Sequence, residues 1–294
     1  MEIENKVWYD KHYKIMLLIP VLLFIFSIGY LINFQIKNGD IIYKDVSLTG
    51  GTTITVFDAN VKIDEIKSAL EKDFSDISIR EILDFRTGAQ KGFILETKAT
   101  TEKIKPALED YLGYVLNQNN SSIEFSGESV SLGFYKQLRF SVLIAFLLMA
   151  LVVFLIFRTF VPSAAVIFAA LADITMTLFV VDIFGITLSV AGIVSFLMLI
   201  GYSVDTDILL TTRVLKGKEG SVNERIYGAF KTGMTMTLTA IAAISVSLFF
   251  VYSASGTLRQ MFTIILIGLF FDMINTWLTN ASIIKWYAEK KVKT

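Results

Sequence analysis

Long hydrophobic segments alternate with short polar ones along most of this chain. The first hydrophobic segment covers residues 15–34, and the other five follow closely, at 138–157, 161–183, 187–211, 233–254 and 260–284. Each is about long enough to cross a hydrocarbon core of ~30 Å as a helix, the structure that pairs its backbone amides internally. The pattern therefore predicts an α-helical membrane protein with six transmembrane helices. We interpret the first segment as a transmembrane anchor that is kept and not as a cleaved signal peptide, because residues 29–33 form a poor signal-peptidase site.

Residues 35–137 have a different pattern, with alternating polar and apolar positions. Alternation and β-branched residues predict strands near 52–57, 77–85, 92–97 and 122–125. Apolar residues at helical spacing predict two helices between them, one carrying Ile66 and Leu70 and the other Ile104 and Leu108, with Thr100 or Thr101 as its cap. The order β-α-β-β-α-β predicts a ferredoxin-like α+β domain between transmembrane helices 1 and 2.

Basic residues between the hydrophobic segments predict the orientation of the chain. Most of them fall on one side of the predicted membrane: Lys6, Lys11, Lys14, Arg158, Arg213, Lys216, Lys218, Arg225, Lys231, Lys285, Lys290, Lys291 and Lys293. On the other side the short loops offer only Arg259, and Arg139 flanks the second span. Positive charge accumulates on the cytoplasmic side. We therefore expect a multi-pass protein of the cell membrane with a cytoplasmic flank (1–14), a cytoplasmic tail (285–294), helices 2–6 at 138–284 and an extracytoplasmic domain.

Composition excludes several classes of function. Hydrophobic residues make up 54% of the chain, and its charges cancel to a net charge of zero, so bulk charge does not favour a nucleic-acid partner. The chain has no cysteine and a single histidine, His12, too few for a thiolate or histidine metal cluster. The lysine- and glycine-bearing segment 216–221 lacks the spacing of a phosphate-binding loop. We expect no enzymatic activity, no cofactor and no metal.

Carboxylates inside the hydrophobic segments are the most informative residues. Asp173, Asp205, Asp207 and Asp272 all lie in otherwise apolar helices, where a charged group costs roughly 2.5–3.5 kcal/mol on insertion scales. Asp173 and Asp205 lie at similar depths, and Asp207 faces a different side of its helix from Asp205. Two interpretations stay open. The carboxyls either form structural contacts with serine and threonine hydroxyls or carry a proton or cation.

Several motifs resemble SecF, the accessory family of the Sec protein-export machinery. The segment 201–210, GYSVDTDILL with Gly201, is similar to the signature of its fourth span. The double glycine Gly50–Gly51 in 46–52, the ALAD segment ending at Asp173 and the threonine-rich segment 229–239 are similar to other family segments. The resemblance covers the whole chain.

The resemblance implies a partner and an energy source. SecF acts with SecD, a related six-span protein, and the pair resembles resistance-nodulation-division transporters. It would draw unfolded preprotein outward from the SecY translocon at the expense of the proton or sodium gradient, with Asp205, close to Asp207, as the ion-coupling carboxylate. Bacterial members have an arginine near the start of span five, where this chain offers Lys231. This departure and Asp272 favour the archaeal form.

Two other functions remain compatible with the sequence. The chain could be half of a secondary transporter of the resistance-nodulation-division type, since no internal repeat supplies a second half. It could also be a membrane scaffold whose external domain binds a partner. Co-purification with a homologous six-span protein favours SecF, whereas a homodimer favours the transporter.

Overall fold

The computed structural model describes residues 12–74, 77–84, 87–252 and 256–292. A few positions used above lie outside these ranges: Lys6, Lys11, Phe85 and Lys293. The first long helix, α1, spans Leu18–Asn38 and ends at Gly39, whose φ of 76° is the left-handed conformation that often terminates helices.

A small α+β unit follows α1. Its elements are α2 (Val46–Thr49), β1 (Gly51–Val56), α3 (Ile63–Leu70), β2 (Ile77–Leu83), β3 (Gln90–Thr97), α4 (Thr101–Leu112) and β4 (Ser121–Ser126). All strand pairs are antiparallel, in the order β2-β3-β1-β4. From β1 onward the elements follow the predicted β-α-β-β-α-β order. Thr100 occupies the N-cap position of α4, as predicted, but its side chain makes no capping hydrogen bond.

The core of this unit lies between the sheet and its two longer helices. Ile54 of β1 pairs with Leu95 of β3 and Ile123 of β4, and the side chains of Ile54 and Leu95 are fully buried. Ile66 from α3 and Ile104 from α4 pack into the same cluster. Apolar positions spaced for one strand face and two helix faces thus form a single core, as their periodicity predicts.

The remaining helices form the membrane-spanning block. They are α5 (Glu128–Phe157), α6 (Phe160–Ile183), α7 (Val190–Lys216), α8 (Val222–Val251) and α9 (Gly256–Ile274), which continues through a π-helical segment (Asn275–Asn280) into α10 (Ala281–Val292). Within the described part of the chain, six helices are long and apolar enough to cross a membrane. The predicted number is therefore confirmed.

Several of these helices extend beyond their predicted hydrophobic segments. α5 begins at Glu128 rather than near 138, and α8 begins at Val222 rather than near 233. Hydropathy marks the part of a helix that suits hydrocarbon, whereas backbone hydrogen bonding continues into polar residues. A capping box between Ser221 and Glu224 sets the start of α8.

Burial divides the six helices into an inner and an outer set. The most apolar windows of α6, α7 and α9 are 50%, 56% and 44% buried, whereas those of α1, α5 and α8 are only 11%, 11% and 6% buried. Close approach depends on small residues: a Cβ on Gly268 would lie 2.4 Å from the Leu199 side chain, and one on Gly233 would lie 2.5 Å from the Trp277 ring. Small residues at such contacts are typical of membrane helices.

Hydrogen bonds join the α+β unit to the membrane block. The Leu188 amide, between α6 and α7, donates to the Tyr43 carbonyl at 2.6 Å, and the Asp45 amide donates to the Leu188 carbonyl at 3.0 Å. The motif glycines lie beside this junction. A Cβ on Gly50 would meet the Glu128 backbone at 2.5 Å, and Gly51 has a φ of 139°, so both positions require glycine.

Candidate functional site

Three carboxylates from three helices lie buried near the middle of the membrane block. Asp173 on α6, Asp207 on α7 and Asp272 on α9 are 0%, 0% and 1% exposed. With a rise of ~1.5 Å per residue, Asp173 lies about 20 Å from the start of α6 and Asp207 about 14 Å from the end of α7. None of the three forms a salt bridge with a lysine or arginine among the described residues. We call these residues the carboxylate cluster.

Asp173 has the best-defined hydrogen bonds of the cluster. Ser203 Oγ on α7 donates to one carboxylate oxygen at 2.5 Å. Asn275 Nδ2, in the π-helical segment, donates to the other at 2.7 Å. Asp173 therefore links all three inner helices, and both of its oxygens have a donor that stabilises the ionised form.

Asp207 uses only one of its two oxygens. Its Oδ1 accepts from Thr276 Oγ1 at 2.9 Å and from Asn280 Nδ2 at 2.7 Å. Its Oδ2 is buried and has no hydrogen-bond partner among the described residues. A buried, unpaired carboxylate oxygen is costly, and protonation or a bound water or cation would relieve that cost.

Asp272 has the weakest hydrogen bonds of the three. Thr206 Oγ1 lies 3.4 and 3.3 Å from its two oxygens and also lies 3.0 Å from the Ser203 carbonyl. Thr276 Oγ1 lies 3.2 Å from Asp272 Oδ1 and 2.9 Å from Asp207. A hydroxyl has one proton, so neither threonine can serve both of its acceptors at once. This geometry favours a protonated Asp272, whose own O–H can then donate.

The π-helical segment supplies much of the polar lining. Asn275, Thr276, Thr279 and Asn280 are all 0% exposed, and with Asp272 they recur at helical spacing along one face. π-helical turns are rare in proteins, and those that occur are often found at functional sites. This polar face is visible in the sequence as D-x-x-N-T-x-x-T-N, although of its residues only Asp272 was a predicted site residue.

Asp205 and Lys231 lie apart from the carboxylate cluster. Asp205 is exposed on the outer face of α7, together with Met198, Gly201 and Tyr202. Lys231 is exposed on α8. Near it, Arg213 at the end of α7 donates to the Gly228 carbonyl of α8 at 2.8 Å, which joins the two helices. The structure thus divides the predicted carboxylates into a buried set of three and one outward-facing residue.

Two other buried charged residues were not predicted to be buried. Lys285, counted above with the cytoplasmic tail, is 0% exposed within a continuous helix, and its Nζ donates to Asn223 at 2.6 Å. Asp182, near the end of α6, is 3% exposed, and neither of its carboxylate oxygens has a partner among the described residues. Asp182 lies inside the predicted hydrophobic segment 161–183 and so had the same sequence signal as the four predicted carboxylates, whereas Lys285 lies one residue beyond the segment 260–284.

Comparison with known proteins defines the class of this six-helix membrane protein. The family model described as "Protein export membrane protein SecD/SecF, C-terminal" matches residues 107–290. A protein-export membrane protein SecF from Methanocaldococcus jannaschii is 38% identical over 283 residues, covering 94% of this chain and 96% of the relative. One from Methanolacinia petrolearia is 36% identical over 279 residues and covers 94% of each chain.

Solved structures agree on the fold. A crystal structure of SecDF from Thermus thermophilus, described as a translocon-associated membrane protein, matches with a TM-score of 0.75 at 17% identity. The match covers 96% of this chain and 38% of that chain. SecDF in a super-membrane-facing form matches with a TM-score of 0.59. The family model and the two relatives above show that the chain belongs to the SecF family of protein-export membrane proteins, and the predicted resemblance is confirmed.

Proposed function

We propose that this chain is a SecF-type subunit that acts with SecD and uses the transmembrane ion gradient to promote export of preproteins through the SecY translocon. Its relatives are named as protein-export membrane proteins, which is a transport role. The single observation that carries the coupling step is the carboxylate cluster: three acidic side chains buried at mid-membrane depth without a described cationic partner. Intramembrane carboxylates of this kind mark ion pathways.

The proposal gives the two ends of the molecule different roles. The α+β unit, which we interpret as a ferredoxin-like domain over 35–137, would face the extracytoplasmic side, with both termini in the cytoplasm. The basic residues on the α7–α8 side support this orientation through the positive-inside bias. The domain connects to α1 and α5 and is hydrogen-bonded to the α6–α7 connection, so a change in helix packing would reach it.

Within the cluster, Asp272 and Asp207 are the proposed proton carriers. Thr276 Oγ1 lies within hydrogen-bonding distance of both, and its single hydroxyl can pass a proton between them by accepting from one and donating to the other. Asp173, with a donor on each oxygen, is the proposed fixed negative charge of the site. Because these contacts join α6, α7 and α9, a change in protonation would alter the packing of the inner helices.

Asp205 suits a role at the contact with SecD. It lies about 22 Å from the start of α7, and a carboxylate exposed to lipid at that depth is unfavourable. A polar partner would remove this cost. Asp205 and Asp207 are two residues apart, so they point about 200° apart around the same helix. One helix would thus connect the partner-facing carboxylate with the buried cluster.

The test is export of a secretory reporter in cells whose only SecF copy is this chain or a variant, at matched membrane levels. We expect Asp205→Asn to lower export towards the level of a deletion strain and to weaken co-purification with SecD. Asp110→Asn, which changes an exposed aspartate of α4, is the matched control. Unchanged export and unchanged co-purification with Asp205→Asn would contradict this role of Asp205, and would leave coupling to a buried carboxylate or favour the scaffold function. Recovery as a homodimer would favour the half-transporter.

A further inference from the structure

A narrow apolar cleft lies between α5, α6 and α7, on the face of the block that carries the α+β unit. Its volume is about 330 Å³, at the small end of ligand pockets. Side chains from all three helices line it, among them Val142 and Phe146 of α5, Ile174 and Leu178 of α6, and Phe196 of α7. The cleft does not include the carboxylate cluster.

The cleft opens on the outer surface of the block. Two of its lining residues, Leu143 on α5 and Leu171 on α6, are 51% and 41% exposed, and they form its rim. Along α5 the lining runs from Tyr135 to Phe146, which corresponds to roughly 17 Å of helix. A transmembrane helix is about 10–12 Å across and is too wide for a space of this length and volume. A single extended hydrocarbon chain fits.

A basic group lies at one end of the cleft. Arg139 lines it and is exposed, with its guanidinium 5.3 Å from the centre of the Tyr135 ring. Arg139 forms no salt bridge with an acidic residue in the described part of the chain. Lys136, three residues earlier on the same face of α5, is also exposed. The Tyr135 hydroxyl donates to Asp40 at 2.9 Å, and apart from Tyr135 and Arg139 the side chains that line the cleft are hydrocarbon or aromatic.

We propose that this cleft is a binding site for one anionic membrane lipid. One hydrocarbon chain would occupy the space between α5, α6 and α7, and the phosphate group would lie between Arg139 and Lys136. The cleft and such a lipid are complementary in charge and shape. Arg139, which has no acidic partner in the described part of the chain, lies at the membrane boundary, and below it the apolar cleft is wide enough for one hydrocarbon chain and opens to the side. Basic residues beside grooves between transmembrane helices are typical of lipid headgroup sites.

The position of the cleft indicates what the lipid would stabilise. Ile41 and Ile42, between α1 and α2, and Leu188, between α6 and α7, all line it. These two segments are joined by the hydrogen bonds of Leu188 with Tyr43 and Asp45. A bound lipid would therefore fill the space beneath the junction of the α+β unit with the membrane block.

The proposal can be tested with the full-length chain reconstituted into vesicles of a neutral lipid containing a small fraction of phosphatidylglycerol with a photoactivatable acyl chain. After illumination, labelled peptides are mapped by mass spectrometry. We expect labelling concentrated on the α5 and α6 peptides that contain Val142 and Ile174, and at least a fivefold loss in Val142→Trp, which fills the cleft. Leu147→Trp, on the exposed face of α5 outside the cleft, is the matched control.

A second arm tests the headgroup and does not depend on filling the cleft. Arg139→Gln should lower the labelling at least threefold, whereas Arg259→Gln, another basic residue assigned to the same membrane side, should not. An uncharged diacylglycerol probe with the same photoactivatable chain should label the wild-type cleft weakly. The proposal would be overturned if all lipid-facing helices were labelled equally, or if Arg139→Gln left the labelling unchanged. It would also be overturned if a co-purified protein, and not the lipid, were found cross-linked to the cleft. None of these results depends on export or on ion coupling.

Discussion

The Thr276 hydroxyl connects two of the three buried carboxylates, and replacing it by a methyl group tests whether that connection matters. Thr276→Val keeps the size and branching of the side chain but removes the group 2.9 Å from Asp207 Oδ1 and 3.2 Å from Asp272 Oδ1. Asp207 would keep only its hydrogen bond from Asn280, and Asp272 only the longer contacts with Thr206. The variant therefore weakens the bonding of both carboxyls at once.

The expected size of the effect follows from the hydrogen bonds that are lost. Leaving a buried polar group without its partner costs about 1–3 kcal/mol in proteins, while interhelical hydrogen bonds in membranes average about 0.6 kcal/mol. We expect Thr276→Val to lower the free energy of unfolding by about 1–2 kcal/mol. For a chain of this size that corresponds to a fall in Tm of about 2–4 °C. Export should fall about three- to tenfold, the effect of about 0.7–1.4 kcal/mol on a barrier.

The assay is thermal unfolding of the purified chain in detergent, together with reporter export at matched membrane levels. Thr175→Val is the matched control, because the Thr175 hydroxyl donates at 2.8 Å to the Leu171 carbonyl of its own helix. If Thr276→Val and Thr175→Val give the same Tm and the same export rate, the Thr276 hydroxyl contributes neither to stability nor to export. The proposed proton transfer between Asp272 and Asp207 through this hydroxyl would then be refuted.

Two further predictions concern packing and pH. Gly233→Ala would place a Cβ 2.5 Å from the Trp277 ring, and overpacking of this kind costs about 1–3 kcal/mol, so its Tm should fall. Gly29→Ala is the control, because its Cβ would meet nothing within 4 Å and its Tm should not change. Equal Tm values for the two variants would contradict the packing account. Burial, reinforced by Glu96, raises the pKa of Asp45 to about 6, although hydrogen bonds from Ser47 oppose the shift. The folded state then binds more protons than the unfolded state between about pH 4 and pH 6, so the contribution of Asp45 to stability is present below about pH 4 and is lost as the pH rises through 6. The stability of the wild type relative to Asp45→Asn should accordingly fall by up to about 3 kcal/mol between pH 4 and pH 7, and a difference independent of pH would contradict the shift.

Much of the fold could be predicted from the sequence, because its elements have strong periodic signals. The α+β unit has an aqueous surface, so alternation along β1 and helical spacing in α3 and α4 distinguish its inside from its outside. Antiparallel pairing of Ile54 with Leu95 and Ile123 then follows from burying their shared face. In the membrane block the lengths of the hydrophobic segments sufficed to count the helices.

The inner and outer faces of the membrane helices could not be predicted in the same way. Lipid is as apolar as leucine, so hydrophobicity does not indicate which side of α7 faces the protein. Met198 and Tyr202 face outward, while Ser203 and Thr206 are buried. The two-residue spacing of Asp205 and Asp207 predicted that they face different ways, but only the packing of α7 against its neighbours decides which one is buried. The sequence-based prediction that Asp205 couples the ion gradient stays a prediction, beside the proposal that it contacts SecD.

The polar face of the last span is a signal that could have been used. Asp272, Asn275, Thr276, Thr279 and Asn280 recur at three- and four-residue intervals within a segment hydrophobic enough to cross the membrane. A continuous polar face in such a helix has to be buried against protein, and it therefore predicts partners on neighbouring helices. The π-helical geometry of 275–280 had no comparable signal in the sequence.

The account depends most on whether a buried carboxyl exchanges its proton, or a cation, during export. The direct measurement is transport of a preprotein into inside-out membrane vesicles carrying the wild-type chain, Asp272→Asn or the control Asp110→Asn. Each is assayed with the gradient intact, with a protonophore and with a sodium ionophore. Asparagine imitates a permanently protonated Asp272. We predict that Asp272→Asn transports at the rate of the uncoupled wild type and does not respond to either ionophore. A variant that transports at the wild-type rate and slows on uncoupling as the wild type does would contradict the account.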